Sequence, residues 1–212
     1  MPDLIYFIAS VNRSGSSWLC ALLRSAGTVG EPRELLRAPR EQFAQRLRED
    51  VCCVKLQLPL MRRIWMSLDD RHKKAARFVF LRREDTLRQA ISLYRARRSG
   101  IWHLRTDRDL RTDRGRRRKH AAVRFDRRAI LAKQRQVEAR YERWESFFSR
   151  EGLSPLRITY ERLCEAPCEA VTEITTFLGR PYEGDLDDYT EIMRDDRTER
   201  WVERLTSGAA GR

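Results

Sequence analysis

Four short apolar runs, rich in β-favouring residues, are separated along the chain by longer segments whose apolar residues repeat with helical periodicity. The runs predict β-strands at residues 4–9, 51–56, 77–81 and 156–160. Because each run is apolar almost throughout, both faces of each strand are expected to be buried. Strands of this kind, separated by helices, predict an α/β fold with a central parallel sheet flanked by helices.

Several of the predicted helices have recognisable first and last residues. Pro59 is suited to the first turn of a helix, and Asp85 and Asp126 are suited to N-caps. Gly27 and Gly179 follow helical segments and are expected to end them. The chain has 212 residues, the length of one α/β domain, so we expect a single domain over residues 1–212.

The chain is strongly basic, with 44 Lys and Arg against 31 Asp and Glu and a formal net charge of +13. Such a charge predicts an anionic partner: nucleic acid, an acidic membrane or a small polyanion. Residues 105–128 hold ten arginines and one lysine against four aspartates, which predicts a solvated basic loop at about 105–125. Nucleic-acid binding is disfavoured because this segment lacks interleaved aromatic residues and no known nucleic-acid module is recognisable.

Composition disfavours several other classes. The five cysteines are an odd number, Cys52 and Cys53 are adjacent, and only three histidines are present. This pattern predicts reduced, buried thiols in a cytoplasmic protein and no bound metal. We find neither an apolar run of membrane-spanning length nor the cationic start of a signal peptide, so no membrane span is expected.

A small polar segment, Arg13-Ser14-Gly15-Ser16-Ser17, lies between the first predicted strand and the first helix. The free N–H groups at a helix N-terminus favour an anion, and glycine lets the backbone approach it closely. The segment therefore predicts either a phosphate-binding loop or an ordinary strand-to-helix turn. It is not a Walker A loop, because no lysine follows the glycine, and this disfavours a magnesium-dependent ATPase or kinase.

The third predicted strand ends at Arg82 and Arg83, and Ser92 follows on the helix capped by Asp85. Ser92 is predicted to lie opposite the apolar stripe of that helix, where it can face a ligand beside the end of the strand. The alternative is an exposed serine and two surface arginines.

Together these segments resemble the sulfotransferases that use 3′-phosphoadenosine 5′-phosphosulfate (PAPS), and among them the bacterial trehalose 2-sulfotransferase-like family. The resembling residues are scattered from end to end of the chain: Arg13 to Ser17, Gly30 to Glu34, Arg88 to Ala96 with Trp102, and Arg197 with Trp201 to Arg204. The resemblance implies a P-loop-like three-layer fold. It also implies metal-independent transfer of a sulfuryl group from PAPS to a hydroxyl of a carbohydrate or glycoconjugate. The alternatives are a nucleotide-dependent kinase and a basic protein that binds nucleic acid or another polyanion.

The resemblance also implies which residues bind the donor. Its 5′-phosphosulfate is expected on the loop residues Arg13, Ser14, Gly15, Ser16, Ser17 and Trp18. The 3′-phosphate is expected on Arg82 or Arg83 together with Ser92. Arg197 and Trp201 resemble a C-terminal element that closes over the nucleotide, although Trp201 could equally pack a tail helix into the core. The sequence leaves the oligomeric state open, with a homodimer among the candidates because related enzymes are often dimers.

Glu34 is implied as the general base, and Glu31 as the residue that holds acceptor hydroxyls, although the two could exchange roles. Arg13 is expected to stabilise the leaving phosphate. Lys55 is expected either to touch the sulfuryl group or to lie as a surface lysine. Gln57 stands where other sulfotransferases have a basic histidine, and an amide cannot accept the proton, which favours Glu34.

Trp102 and His103 are expected to line the acceptor pocket, because sugars stack on aromatic faces, although a tryptophan here could also belong to the core. The chain is shorter than the trehalose enzyme chiefly between Glu34 and Lys55, where acceptor-facing structure would lie. The sequence therefore does not name the acceptor.

Overall fold

The computed structural model describes residues 2–35, 39–102, 110–184, 186 and 196–207, with the main chain alone at 110–114 and 117. Its strands are β1 (Leu4–Ser10), β2 (Arg33–Glu34), β3 (Val51–Leu56), β4 (Ala76–Arg82) and β5 (Leu156–Thr159). The first five helices are α1 (Ser16–Ala26), α2 (Pro39–Arg46), α3 (Leu58–Trp65), α4 (Asp70–Ala75) and α5 (Thr86–Ser99). The remaining ones are α6 (Leu110–Ala121), α7 (Arg127–Arg150), α8 (Tyr160–Glu165), α9 (Pro167–Phe177) and α10 (Asp196–Thr206).

The strands form one sheet in the order β2-β3-β1-β4-β5, and every pairing is parallel. The four strands predicted from apolar runs are β1, β3, β4 and β5, and the parallel sheet is confirmed. The sequence analysis missed β2, because two exposed charged residues carry no apolar signal. This short edge strand carries Glu34, opposite Lys55 on β3.

Helices cover both faces of the sheet, as predicted, and the alternation of side chains along β1 shows how. Tyr6 and Ile8 point to one face and pack in a core shared with α1 and α9. Phe7 points to the other face, where it stacks on Phe43 of α2. Farther along that face Phe80 of β4 packs on α7. The result is a three-layer α/β arrangement.

The chain divides into two compact units, Met1–Glu84 with Arg140–Thr190 and Asp85–Ala139 with Glu191–Arg212. The first contains the whole sheet. The second contains α5, α6, the first half of α7 and α10, and it has its own apolar core around Ile91, Tyr94, Ile130 and Trp201. The single-domain organisation stays a prediction.

The predicted helix ends agree with the structure. The Asp85 carboxylate accepts a hydrogen bond from the Arg88 N–H at 2.8 Å and caps α5, and Asp126 caps α7 through the Ala129 N–H at 2.9 Å. Gly27 ends α1 with a φ of 71°.

The basic segment predicted as a loop at about 105–125 is helical over Leu110–Ala121. Arginine and lysine are good helix formers, and a helix can form from them without the apolar stripe by which the others were recognised. Residues 103–109 lie outside the described residues. No helix in the described part of the chain is long and apolar enough to cross a membrane.

Candidate active site

The loop between β1 and α1 is a tight turn in which two residues, separated by Ser14, have positive φ. The Ser14 N–H donates to the Val11 carbonyl at 3.2 Å, while Arg13 has a φ of 68° and Gly15 a φ of 91°. Only glycine fits at position 15, since an added Cβ would lie 2.4 Å from Tyr160 Cδ2. A non-glycine residue in the left-handed region costs about 1–3 kcal/mol, and such strain collects at functional sites.

The N-terminus of α1 is open to an anion. Gly15 provides no side-chain cap, and the first turn holds no acidic residue. The N–H groups of Ser16, Ser17 and Trp18 therefore lack acceptors within the helix, and the helix dipole adds positive potential at this end. Ser14 Oγ and Trp18 Nε1 are buried without partners among the described residues. Unpaired buried polar groups are rare in folded proteins, and a ligand or water bound at the turn would supply their partners.

Lys55 joins this loop to the edge of the sheet. Its Nζ donates to Ser17 Oγ at 3.2 Å and to Glu34 Oε2 at 2.8 Å. The lysine side chain is only 8% exposed, whereas the Glu34 side chain is 36% exposed. A surface position for Lys55 is therefore wrong: the strand carries it inside the protein, with its ammonium between the predicted phosphate loop and the predicted base.

Two predicted acceptor-side carboxylates occupy different environments. Glu31 is exposed and binds Arg33 Nη2 at 3.0 Å, with Arg24 at 3.9 Å. The hydrogen bond from Arg33 holds the pKa of Glu31 below its usual range, which makes it a weaker base. Glu34 instead faces Lys55, which in turn binds the loop. The two residues that the sequence left interchangeable therefore have different partners, Arg33 for Glu31 and Lys55 for Glu34.

The two arginines that follow the third predicted strand also differ. Arg82 is exposed, 3.7 Å from a Glu145 oxygen, and its guanidinium lies 5.3 Å from the Tyr141 ring. Arg83 lies over the Tyr160 ring at 4.5 Å, and its buried Nε has no partner among the described residues. Because Tyr160 also touches the position of Gly15, its ring brings Arg83 beside the loop. Arg83 is thus better placed than Arg82 to contact a ligand bound at the loop.

Tyr160 is the site residue that the sequence analysis missed. It follows β5 directly, and its ring packs edge-on against Trp18 at 6.2 Å and beneath Arg83. The sequence signal that could have identified Tyr160 was its position at the end of a predicted strand. Side chains at the carboxyl ends of parallel strands lie together at one edge of the sheet.

The other predicted site residues belong to the second unit, which is described by itself. Ser92 is half-buried on α5, and Trp102 is exposed, so a core position for Trp102 is wrong. Trp201 is buried in the core of this unit, and the Arg197 guanidinium lies 5.2 Å from its ring. The packing role of Trp201 is therefore present, while contact with a nucleotide stays a prediction. His103 lies outside the described residues.

Salt bridges fix α10 on α5 within this unit. Arg88 of α5 binds Asp85 and Glu199, and Arg95 Nη1 donates to Thr198 Oγ1 at 3.0 Å. The opposing carboxylates raise the pKa of the Arg88 guanidinium. Several residues of the two resembling stretches, Arg88 to Ala96 and Arg197 to Arg204, therefore contact one another.

Comparison with known proteins identifies relatives along the whole chain. The model of the Stf0 sulphotransferase family matches residues 65–207. The trehalose 2-sulfotransferase of Mycolicibacterium smegmatis is 25% identical over an alignment of 266 residues that covers 96% of this chain and 95% of the relative.

Two solved structures are also similar. A sulfotransferase from Alicyclobacillus acidocaldarius has a TM-score of 0.47 and 14% identity, covering 98% of this chain and 92% of its own. A sulfotransferase domain from the curacin biosynthetic pathway has a TM-score of 0.49 and 15% identity, covering 97% of this chain and 98% of its own.

Proposed function

Because the chain belongs to the Stf0 sulphotransferase family, it is a sulfotransferase, and we propose that it transfers a sulfuryl group from PAPS to a carbohydrate or glycoconjugate hydroxyl without a metal ion. The observation that carries the proposal is the hydrogen-bonded chain Glu34–Lys55–Ser17. It joins a carboxylate suited to remove a proton to a loop suited to bind an anion.

The loop supplies the anion site. The N–H groups at the start of α1 and the Ser16 and Ser17 hydroxyls are the donors for the phosphosulfate. Ser17 Oγ already accepts from Lys55, so its own hydrogen is available to donate. Arg13, in its strained conformation beside these donors, offsets the charge that develops on the leaving phosphate. Ser14, Gly15 and Trp18 shape the loop around that anion.

Glu34 acts as the general base. It takes the proton from the acceptor hydroxyl as the new oxygen–sulfur bond forms and the bond from sulfur to the leaving phosphate oxygen breaks. Among the described residues, Lys55 is the cation that holds this carboxylate, and it leaves the second carboxylate oxygen for the acceptor. Lys55 therefore positions the base, and its ammonium also stabilises negative charge on the sulfuryl oxygens. Positioning and electrostatics supply the catalysis, as in phosphoryl transfer.

Other residues complete the proposed donor site. Arg83, held on the Tyr160 ring beside the loop, is the proposed ligand of the 3′-phosphate. Ser92, in the second unit, is proposed as a further ligand from the family resemblance alone. Arg82 is the weaker candidate because it already faces Glu145. Arg197 and Trp201 are proposed to border the nucleotide.

A relative supports the proposed acceptor class. A trehalose 2-sulfotransferase matches nearly the whole chain, which supports a sugar acceptor. Glu31 is exposed, as a residue that binds sugar hydroxyls must be, and Trp102 is exposed as a stacking surface requires. His103 completes the proposed acceptor set.

The test is a paired measurement on Glu34→Gln. Turnover is followed with radiolabelled PAPS and a panel of sugars that begins with trehalose, and binding of adenosine 3′,5′-bisphosphate is measured by calorimetry. We expect nearly unchanged binding and at least a 100-fold loss of turnover, in line with general-base catalysis. Glu41→Gln, an exposed change of the same charge on α2, is the control and should behave as wild type. Unchanged turnover in Glu34→Gln would overturn the assignment of the base.

A further inference from the structure

A cavity lined by cations lies within the second unit, apart from every residue assigned above. Its volume is about 340 Å³, and its lining residues are Arg98, Lys119, Ala122, Val123 and Arg124. This volume is at the small end of the range for ligand pockets, and it exceeds the space that a single inorganic ion needs. The cavity therefore has room for a small organic molecule.

Hydrogen bonds hold two of the lining residues and the neighbouring helix ends in place. Tyr94, which is itself buried, donates from its hydroxyl to the Arg124 carbonyl at 3.0 Å. Arg197 donates to the carbonyl of the buried Val123. Ser99 Oγ and His120 Nδ1 lie 3.2 Å apart and join the ends of α5 and α6. These bonds fix the positions from which the three cationic side chains extend.

Charge balance decides what this cavity can hold. Arg98 and Lys119 lie in the last turns of α5 and α6, where a cation offsets about half a unit of negative charge at each helix end. The three cations Arg98, Lys119 and Arg124 together carry more positive charge than the two helix ends require. No carboxylate among the described side chains pairs with Arg98, Lys119 or Arg124, although acidic partners hold many other arginines of this protein. The surplus positive charge is therefore available to a ligand.

We propose that this cavity binds a small organic polyanion that carries at least two phosphate or sulfate esters. Converging cations recognise such groups through charge-assisted hydrogen bonds, and arginine matches the geometry of their oxygens. The inference does not depend on the proposed donor, because none of the lining residues belongs to the proposed donor or acceptor sets.

Fructose 1,6-bisphosphate is the first probe, with fructose as its neutral counterpart, and calorimetry at low ionic strength gives the affinity. The test variant is Arg98→Gln with Lys119→Gln. The matched control is Arg97→Gln with Arg118→Gln, which removes equal charge from the neighbouring exposed positions. We expect binding of the bisphosphate but not of fructose. The test variant should lose about tenfold in affinity for each cation removed, and the control less than threefold.

Arg13→Gln separates this site from the phosphate loop, since a bisphosphate bound at the loop would lose affinity in that variant and keep it in the cavity variant. The proposal would be overturned if Arg13→Gln weakened bisphosphate binding while the cavity variant did not. An equal loss of affinity in both double variants would also overturn it. A DNA duplex that binds tightly while the bisphosphate does not would also overturn it and would indicate a nucleic-acid surface. The side chains changed in the two double variants are exposed and that of Arg13 is half-buried. All variants should therefore fold, and circular dichroism checks this.

Discussion

Removing Glu34 and removing Lys55 from their ion pair should change the free energy of unfolding by different amounts. In Glu34→Ala, the Lys55 ammonium, on a side chain only 8% exposed, is left without its carboxylate. Removing one partner of a fully buried pair costs about 3–5 kcal/mol. Because Glu34 is 36% exposed, water can replace part of the lost contact, and we expect about 2–3 kcal/mol. For a chain of this length, that lowers the Tm by about 5–10 °C.

In Lys55→Met the remaining carboxylate is the exposed partner, which water can solvate, and the methionine fills the volume of the lysine stem. The expected cost is about 1 kcal/mol or less. The double variant should therefore be more stable than Glu34→Ala alone, because no buried charge remains unpaired. Urea unfolding at neutral pH measures the free energy of unfolding of both single variants and of the double variant. Glu31→Ala, whose Arg33 partner is 65% exposed, is the control and should change stability by less than about 0.5 kcal/mol.

The order of these effects is what tests the reasoning. If Lys55→Met costs more than Glu34→Ala, or if the double variant is no more stable than Glu34→Ala, Lys55 does not depend on Glu34 and cannot be the residue that positions it.

Three other predictions concern the loop and the thiols. Gly15→Ala should destabilise the protein by about 1–3 kcal/mol in urea unfolding and abolish nucleotide binding, because its Cβ would meet Tyr160 and its φ is positive; wild-type binding would contradict the described loop. Arg13→Gly should lose most turnover while stability is kept or rises by up to about 1 kcal/mol, because glycine relieves the left-handed strain at this position; a marked loss of stability would show that the arginine holds the loop. Burial raises the pKa of Cys20 to about 11 and of Cys52 to about 12, so thiol reagents at pH 8 should reach these residues only on unfolding. Since the unfolded thiols ionise first, stability should fall as pH rises from about 9 towards 11, at up to about 1.4 kcal/mol per pH unit for each thiol; a flat profile would contradict the burial of these side chains.

The sheet could be predicted because its signals are local. An apolar run such as that of β1 is readable wherever both faces of the strand are buried, and Asp85 and Asp126 cap helices through contacts only three residues away. The edge strand β2 could not be predicted, because its two residues are exposed and its place depends on pairing with β3. The helical state of Leu110–Ala121 was also missed, since its sequence lacks an apolar period.

Residue type and resemblance to a family predicted the site residues of the first unit. The structure shows which of these residues contact one another. No pattern in the sequence places Lys55 between Glu34 and Ser17, because that depends on the parallel register of β2, β3 and β1. Likewise, the choice between Arg82 and Arg83 depends on which of them lies over Tyr160, a residue far along the chain. Long-range packing of this kind is decided by the fold as a whole.

The central claim is that the Arg13–Trp18 loop and Arg83 form a metal-independent site for the PAPS nucleotide. Calorimetric titration of the protein in EDTA with adenosine 3′,5′-bisphosphate, and separately with adenosine 5′-phosphate, tests this directly. We predict binding of the bisphosphate without magnesium, much weaker binding of the monophosphate, and loss of that preference in Arg83→Gln. Equal affinity for the two nucleotides, or binding that appears only when magnesium is added, would contradict the claim.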